Sequence, residues 1–420
     1  MIIGETAGVA PVAPLGPGGA PAGPAGRLQS GVRPGGALRR FDWPLFGAAI
    51  ALSCYGAVMV WSATRGNPAL TGGDPQYFLE RHLGNLAVGL VLAVGVSALD
   101  HKRLRGLTAA AYVLALLGLL AVLSPLGSTV NGARSWIELG GGFSIQPAEF
   151  AKVAVVMTTA LALASRPSLN RAPDLLAAVF DERRSESAPA LRQVAVALGV
   201  AAVPTGLIAL LPDLGSAMVI VATVAGMVLV SGAGLRLITA LGVVSVAGVA
   251  AVVKLHLLAA HQVNRFAAFA DPHLDPQGVG YNTQQARLAI GSGGVFGQGL
   301  FHGAQTNGRF VPEQQTDFVF TVVGEELGLV GGLVLIALFG VLLWRACSIA
   351  RAASEPFPML LAAGAVCWLA FQMFENIGMT LGIMPVAGIP LPFVSYGGSS
   401  MFANFIAVGL LENVRLRSTR

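Results

Sequence analysis

The chain has 420 residues, 54% of them hydrophobic and only 11% charged, with a mean hydropathy of +0.70. That balance excludes an ordinary water-soluble domain and predicts an all-α polytopic membrane protein. The net charge of +5 does not call for nucleic acid, because most basic residues flank apolar runs on one side.

Residues 1–40 are Gly, Pro and Ala with almost no periodicity and predict a disordered cytoplasmic tail. They lack the h-region and cleavage site of a signal peptide. A hydrocarbon core about 30 Å thick takes roughly 20 apolar residues per helix, and about ten such runs follow within 41–415. They lie near 43–61, 83–99, 106–124, 147–165, 191–211, 214–231, 235–255, 317–344, 357–380 and 400–414. Residues 416–420 remain as a short cytoplasmic tail. Threading from a cytoplasmic N-terminus places 18 of the 26 basic residues in inner loops, from Arg27 and Arg40 through Lys102 and Arg184 to Arg345 and Arg417. This is the positive-inside pattern. It leaves a long extracytoplasmic loop, about 256–316, before the eighth span. Cys54, Cys347 and Cys367 lie in or beside apolar runs without metal or redox spacing, which reads as packing.

Three segments on the predicted outer side hold unusual polarity. The first is NGARSWIELGGGFSIQPAEFAK, Asn131 to Lys152. The second is the long loop from Gln262, ending VPEQQTDFVFTVVGEELG. The third runs from Asn376 to Ser400 and includes Ser395; its three prolines forbid a regular span across its middle. Irregular backbone at membrane depth requires burial in protein or a wet cavity, so three such segments predict a shared outer cavity. The glycines of GSGGVFGQG follow no strand–helix pattern, and no Walker A sequence is present.

Ionisable groups in or beside spans raise functional hypotheses. Glu149 and Lys152, at i and i+3, pair on one helix face, either as a structural ion pair or on the substrate side. Arg134 and Trp136 suit a phosphate and a sugar or lipid surface. Asp213 in LPDLGSA either contributes to a site or caps the following helix. Asp317 stands where a polar loop enters an apolar helix, as a general base or as a carboxylate at the helix N-terminus. Glu313, Glu325 and Glu326 are rival acids. Arg287 is expected on a short amphipathic helix with Tyr281, Gln284 and Gln285, lying at the interface or binding a phosphate or sugar hydroxyl. The six histidines form no cluster, so no protein-built metal site is predicted.

These segments resemble the SEDS family (shape, elongation, division and sporulation), the RodA/FtsW membrane proteins. The resemblance covers about 43–414 and rests on QPAEFAK, PDLGSAM, YNTQQARLAIGSGGVFGQGL, VPEQQTDFVFTVVGEELGLVGG and ENIGMTLGIMPVAGIPLPFVSYGGSS. The last is more similar to RodA, the elongation member. The resemblance implies ten transmembrane helices and peptidoglycan glycosyltransferase activity on lipid II. It implies that Asp317, in the TDF motif, is the catalytic residue, supported by Glu149, Lys152 and Asp213. Arg134, Trp136, Gln285, Arg287 and Ser395 are then candidates for substrate binding, with Arg134, Lys152 and Arg287 facing the diphosphate. Arg309 departs from relatives that carry an acidic or aromatic residue there, so a second carboxylate is not assumed. No cofactor is required, although a divalent cation, Mg2+ or Mn2+, bridging carboxylate and diphosphate suits the chemistry.

The resemblance also implies a class B penicillin-binding protein as transpeptidase partner, and a location in the bacterial cytoplasmic membrane with both termini inside. Rival readings are a lipid II flippase, a scaffold for wall-building partners, and the division-specific polymerase. Transport is disfavoured because transporters place their sites near the midplane between repeated halves.

Overall fold

In the computed structural model the described residues are 40–130, 133–140, 143–164, 189, 191–211, 213–254, 269 and 279–418. The predicted N-terminal tail, most of the 165–193 loop and the stretch 255–278 (apart from residue 269) lie outside them, as do residues 419 and 420. Their helices, in chain order, are α1 Trp43–Arg65, α2 Pro68–Thr71, α3 Tyr77–Ala98, α4 His101–Leu123, α5 Pro147–Leu163, α6 Leu191–Leu210 and α7 Leu214–Val230. Then come α8 Leu235–Lys254, α9 Val279–Ser292, α10 Ala304–Gly308, α11 Val319–Glu326, α12 Gly328–Ala352, α13 Pro356–Leu381 and α14 Gly398–Arg417. Among the described residues, α1, α3, α4, α6, α12 and α13 are long and apolar enough to cross a membrane. The multi-pass helical architecture expected from composition is therefore the one observed.

Local chemistry sets the helix ends. Asp42 caps α1 by accepting the Leu45 N–H (3.1 Å), and prolines open α1, α5 and α13 where a missing N–H costs nothing. Gly382 ends α13 at φ 72°, the left-handed cap that a Cβ disfavours. Helix α4 turns Val113, Leu114, Leu117 and Leu120 outward, as a helix facing hydrocarbon does. A cavity of about 670 Å3 lies between α6, α7 and α8, lined by Ala201, Ile220, Val224 and Leu241.

Helix α13 is the central element, packing on α5, α7, α9, α12 and α14. Small residues permit this: a Cβ on Gly364 would lie 2.7 Å from Val156 Cγ1 and 2.8 Å from Met227 Sδ. Trp368, Phe339, Phe357, Phe393 and Phe405 fill the surrounding core. At the end of the bundle away from Asp317, Arg345 forks onto buried Asp42 (3.0 and 2.5 Å), whose N–H donates to Glu412 (3.1 Å). That cluster ties α1, α12 and α14 together. Asn413 and Arg417 then cap the carbonyls that end α3.

Three features depart from a plain run of helices. The segment 127–145 forms a three-stranded antiparallel sheet, β1 Gly127–Val130, β2 Ala133–Gly140 and β3 Phe143–Ile145. Its register pairs Ser128 with Trp136 and Ile137 with Ile145. The expectation of only helices missed it because the sheet is short and bulged. The apolar run 317–344 is not one helix either; it breaks at Gly328, φ 64°, into α11 and α12. Finally, 383–397 is irregular yet largely buried, and donors from neighbouring helices satisfy several of its backbone groups.

Candidate active site

Asp317 lies on a tight turn just before α11. The turn closes on Glu313, φ 51°, whose carbonyl accepts the N–H groups of Thr316 and Phe318 (3.2 Å each). The Glu313 carboxylate also accepts the Thr316 hydroxyl (3.0 Å) and the Gln315 amide (3.4 Å). The cap position of α11 is Phe318, without a side-chain cap, so Asp317 stands one residue ahead of it, at the N-terminal end of the helix. Asp317 is half-buried, while Phe318 and Val319 behind it are buried.

Three successive carbonyls of this turn are each held from the segment 376–396. The Tyr396 N–H donates to Gln315 O (2.8 Å). The Ser395 hydroxyl donates to Thr316 O. The Asn376 amide donates to Asp317 O (2.8 Å) and also to Ile389 O (2.7 Å). With carbonyls 315, 316 and 317 all anchored, the main chain at Asp317 is positioned, as a catalytic side chain requires.

A second network braces the clamp. Lys152 Nζ, buried, donates to Glu149 Oε1 (2.8 Å) and to Gln372 Oε1 (2.9 Å). Gln372 Oε1 also accepts from Trp368 Nε1 (2.7 Å), and its amide donates to Pro390 O (2.8 Å). The ammonium lies 5.2 Å from the Trp368 ring centroid. Asp213 caps α7 through Ser216 N–H (2.9 Å) and accepts the Gln146 side chain (3.3 Å), while Gln146 N–H reaches Ser399 Oγ (2.9 Å). Gly215 admits the 387–389 backbone to α7, since a Cβ there would fall 2.7 Å from Ala387 O.

The rival acids have structural partners. Glu325 accepts the N–H groups of Gln305 (2.6 Å) and Thr306 (2.9 Å) and the Thr306 hydroxyl (2.7 Å). Both Glu326 oxygens lie 2.7 Å from Ser62 Oγ. The carbonyls of these two residues accept Gln298 and Gly299 N–H. Together they fasten the glycine-rich loop to the break between α11 and α12.

The other candidates divide. Ser395 is buried, and its hydroxyl holds Thr316 O and accepts Leu391 N–H (2.8 Å), so it clamps the turn. Arg287, exposed on α9, donates to Leu381 O (3.0 Å) at the end of α13; Gln285 lies half-buried on the same helix. Trp136 is half-buried on β2. Arg134 is placed on β2 by its backbone pairing with Thr129, and its side chain lies outside the described residues.

Sequence reasoning passed over Gln372, Glu375, Tyr396 and Arg81, and gave Asn376 no role. Gln372, Glu375 and Asn376 are polar at i, i+3 and i+4 on an apolar helix, the pattern of one functional face. Glu375 is fully buried, and neither carboxylate oxygen has a hydrogen-bond partner among the described residues. Burial pushes the Tyr396 phenol above its ordinary value, against a hydrogen bond from Arg81 that pulls it down.

Among the described residues no three His, Cys, Asp or Glu side chains converge as metal ligands. A divalent cation would therefore draw its ligands from one carboxylate, Asp317, and from phosphate oxygens of a substrate. That donor set fits Mg2+ or Mn2+.

The family model described as Cell cycle protein, FtsW/RodA/SpoVE, matches residues 43–420. The chain is 35% identical over 365 residues to peptidoglycan glycosyltransferase MrdB of Escherichia coli, covering 87% of this chain and 90% of that protein. It is 36% identical over 378 residues to the probable peptidoglycan glycosyltransferase FtsW of Trichlorobacter lovleyi, covering 90% and 93%. Among solved structures it resembles one chain of a structure of a peptidoglycan synthase complex that coordinates polymerization and crosslinking (TM-score 0.70, 31% identity, 89% and 97% covered). It also resembles the rod shape determining protein RodA of Thermus thermophilus (TM-score 0.62, 30% identity, 90% and 98% covered). The chain belongs to the FtsW/RodA/SpoVE family, a family of multi-pass membrane proteins.

Proposed function

We infer that this chain is a peptidoglycan glycosyltransferase that polymerises lipid II, with Asp317 as its general base. The observation that carries the reading is the anchoring of carbonyls 315, 316 and 317, which presents a half-buried carboxylate on a fixed backbone. Lipid II carries its disaccharide on an α-linked diphosphate, and the glycan is β-1,4 linked, so one inverting displacement suffices. The Asp317 carboxylate takes the proton of the acceptor hydroxyl as that oxygen bonds to the anomeric carbon. The bond from that carbon to the diphosphate oxygen breaks, and its electron pair leaves with the polyprenyl diphosphate. Cationic groups steady the departing charge.

The Asp317 end of the bundle faces outward, and the Arg345, Arg415 and Arg417 end faces the cytoplasm of the bacterial inner membrane. This orientation follows the positive-inside rule. A class B penicillin-binding protein is the partner this reading requires, in keeping with the synthase complex that the chain resembles. Relatives named MrdB and FtsW match at similar identity; the elongation role rests on the ENIGMTLGIMPVAGIPLPFVSYGGSSM sequence.

The test is polymerisation of labelled lipid II by purified protein with its transpeptidase partner. Wild type makes glycan strands, and a folded Asp317→Asn variant makes none. Normal polymerisation by that variant removes Asp317 from the mechanism. Lipid II crossing vesicles without polymer favours a flippase.

A further inference from the structure

The reading above needs a cation for the diphosphate, and of those singled out from sequence Lys152 and Arg287 already have partners in the fold. Lys152 is only 2% exposed and lies between Glu149 and Gln372. Arg287 Nε reaches the last turn of α13. Arg309 bonds Gly66 O, and Arg65 packs 4.2 Å from the centroid of the Phe301 ring.

Arg81 is placed differently. It lies in the second turn of α3, with its guanidinium 4.5 Å from the centroid of the Tyr77 ring. It donates a hydrogen bond to the Tyr396 phenol. The Tyr396 ring packs edge-on to Phe78 (4.8 Å), and its N–H holds Gln315 O, two residues before Asp317. Helix α3 is in close contact with the start of α14 here, since a Cβ at Gly398 would lie 3.3 Å from Asn85 Oδ1. Arg81 is half-buried, so a ligand gains from a guanidinium partly withdrawn from water. A guanidinium presents five donors in a planar fork that matches phosphate oxygens. Its contact with the Tyr77 ring restrains that fork.

We propose that Arg81, set by Tyr77 and Tyr396 beside the Asp317 turn, binds the diphosphate of the polyprenyl-linked substrate. This assignment rests on the glycosyltransferase reading, and it names the group that meets the leaving diphosphate.

The experiment measures direct binding of undecaprenyl diphosphate and undecaprenyl phosphate to the full-length protein in one detergent, independently of turnover. Arg81→Gln keeps an amide donor for the Tyr396 phenol and removes the charge. Arg81→Lys keeps the charge and removes the fork. With charge-assisted hydrogen bonds at stake, the Gln variant binds the diphosphate about ten- to a hundredfold more weakly at an unchanged melting temperature. The Lys variant loses less, and the monophosphate is affected less than the diphosphate in both. A merely structural role, holding Tyr396, is served by glutamine. Wild-type diphosphate binding in the Gln variant, equal losses in the Gln and Lys variants, or no diphosphate binding by wild type each overturn the assignment. Polymerisation measured in parallel tests the function: absent polymerisation with intact, Arg81-dependent binding defeats the polymerase reading and leaves the anion site standing.

Discussion

Replacing Lys152 by methionine isolates the energetics of the brace behind the site. Lys152 Nζ and Glu149 Oε1 are 2.8 Å apart, with their side chains 2% and 1% exposed. Removing one member of a buried pair strands the other charge, at a cost of about 3–5 kcal/mol. That is a drop of roughly 150- to 5,000-fold in the folded-to-unfolded ratio. Gln372 keeps its Trp368 donor and its bond to Pro390 O, so the penalty is assigned to the stranded Glu149. The double variant Glu149→Gln, Lys152→Met buries no charge. It should recover to within about 1.5 kcal/mol of wild type, the scale of a neutral hydrogen bond. The measurement is denaturant unfolding of wild type, both single variants and the double variant in one detergent, read as a double-mutant cycle. A double variant as unstable as Lys152→Met refutes the reasoning, because the loss would then not come from an uncompensated carboxylate.

Asn376→Ala removes the two buried bonds to Asp317 O and Ile389 O. A misplacement of about 1 Å at a catalytic group is worth roughly a hundredfold in rate, so kcat for lipid II polymerisation should fall by about that factor; wild-type kcat would remove Asn376 from the clamp. Glu325→Gln weakens the bonds that Glu325 accepts from Gln305 and Thr306. Amide exchange across 304–309 should accelerate by about ten- to a hundredfold, while polymerisation stays above about a tenth of wild type. Loss of polymerisation with unchanged exchange would return Glu325 to the list of chemical acids.

Much of the fold is visible in the sequence. The apolar runs at 43–61, 191–211 and 357–380 coincide with α1, α6 and α13, because the length of an apolar stretch is a one-dimensional property set against a solvent of fixed thickness. The i, i+3 spacing of Glu149 and Lys152 foretold their ion pair for the same kind of reason. The sheet at 127–145 was not legible, since its strands are short and interrupted by bulges. The break at Gly328 was hidden inside a continuous apolar run. Arg81 stands in none of the polar segments singled out from the sequence.

By itself, then, the sequence determined a multi-pass helical membrane protein, an irregular proline-bearing stretch within 376–400, and a set of acids and cations in a few polar stretches. Only the tertiary structure showed which partners each of them meets. Glu325 and Glu326 lie in the same apolar helix that Asp317 precedes, and local sequence makes them equal rivals. They differ because Glu325 and Glu326 meet backbone N–H groups and a serine from other elements, whereas the Asp317 turn has its carbonyls held by residues 59 to 81 positions away. Hydrogen-bond satisfaction in a buried, low-dielectric setting depends on which donors the fold brings within about 3 Å. No pattern along the chain encodes that distance.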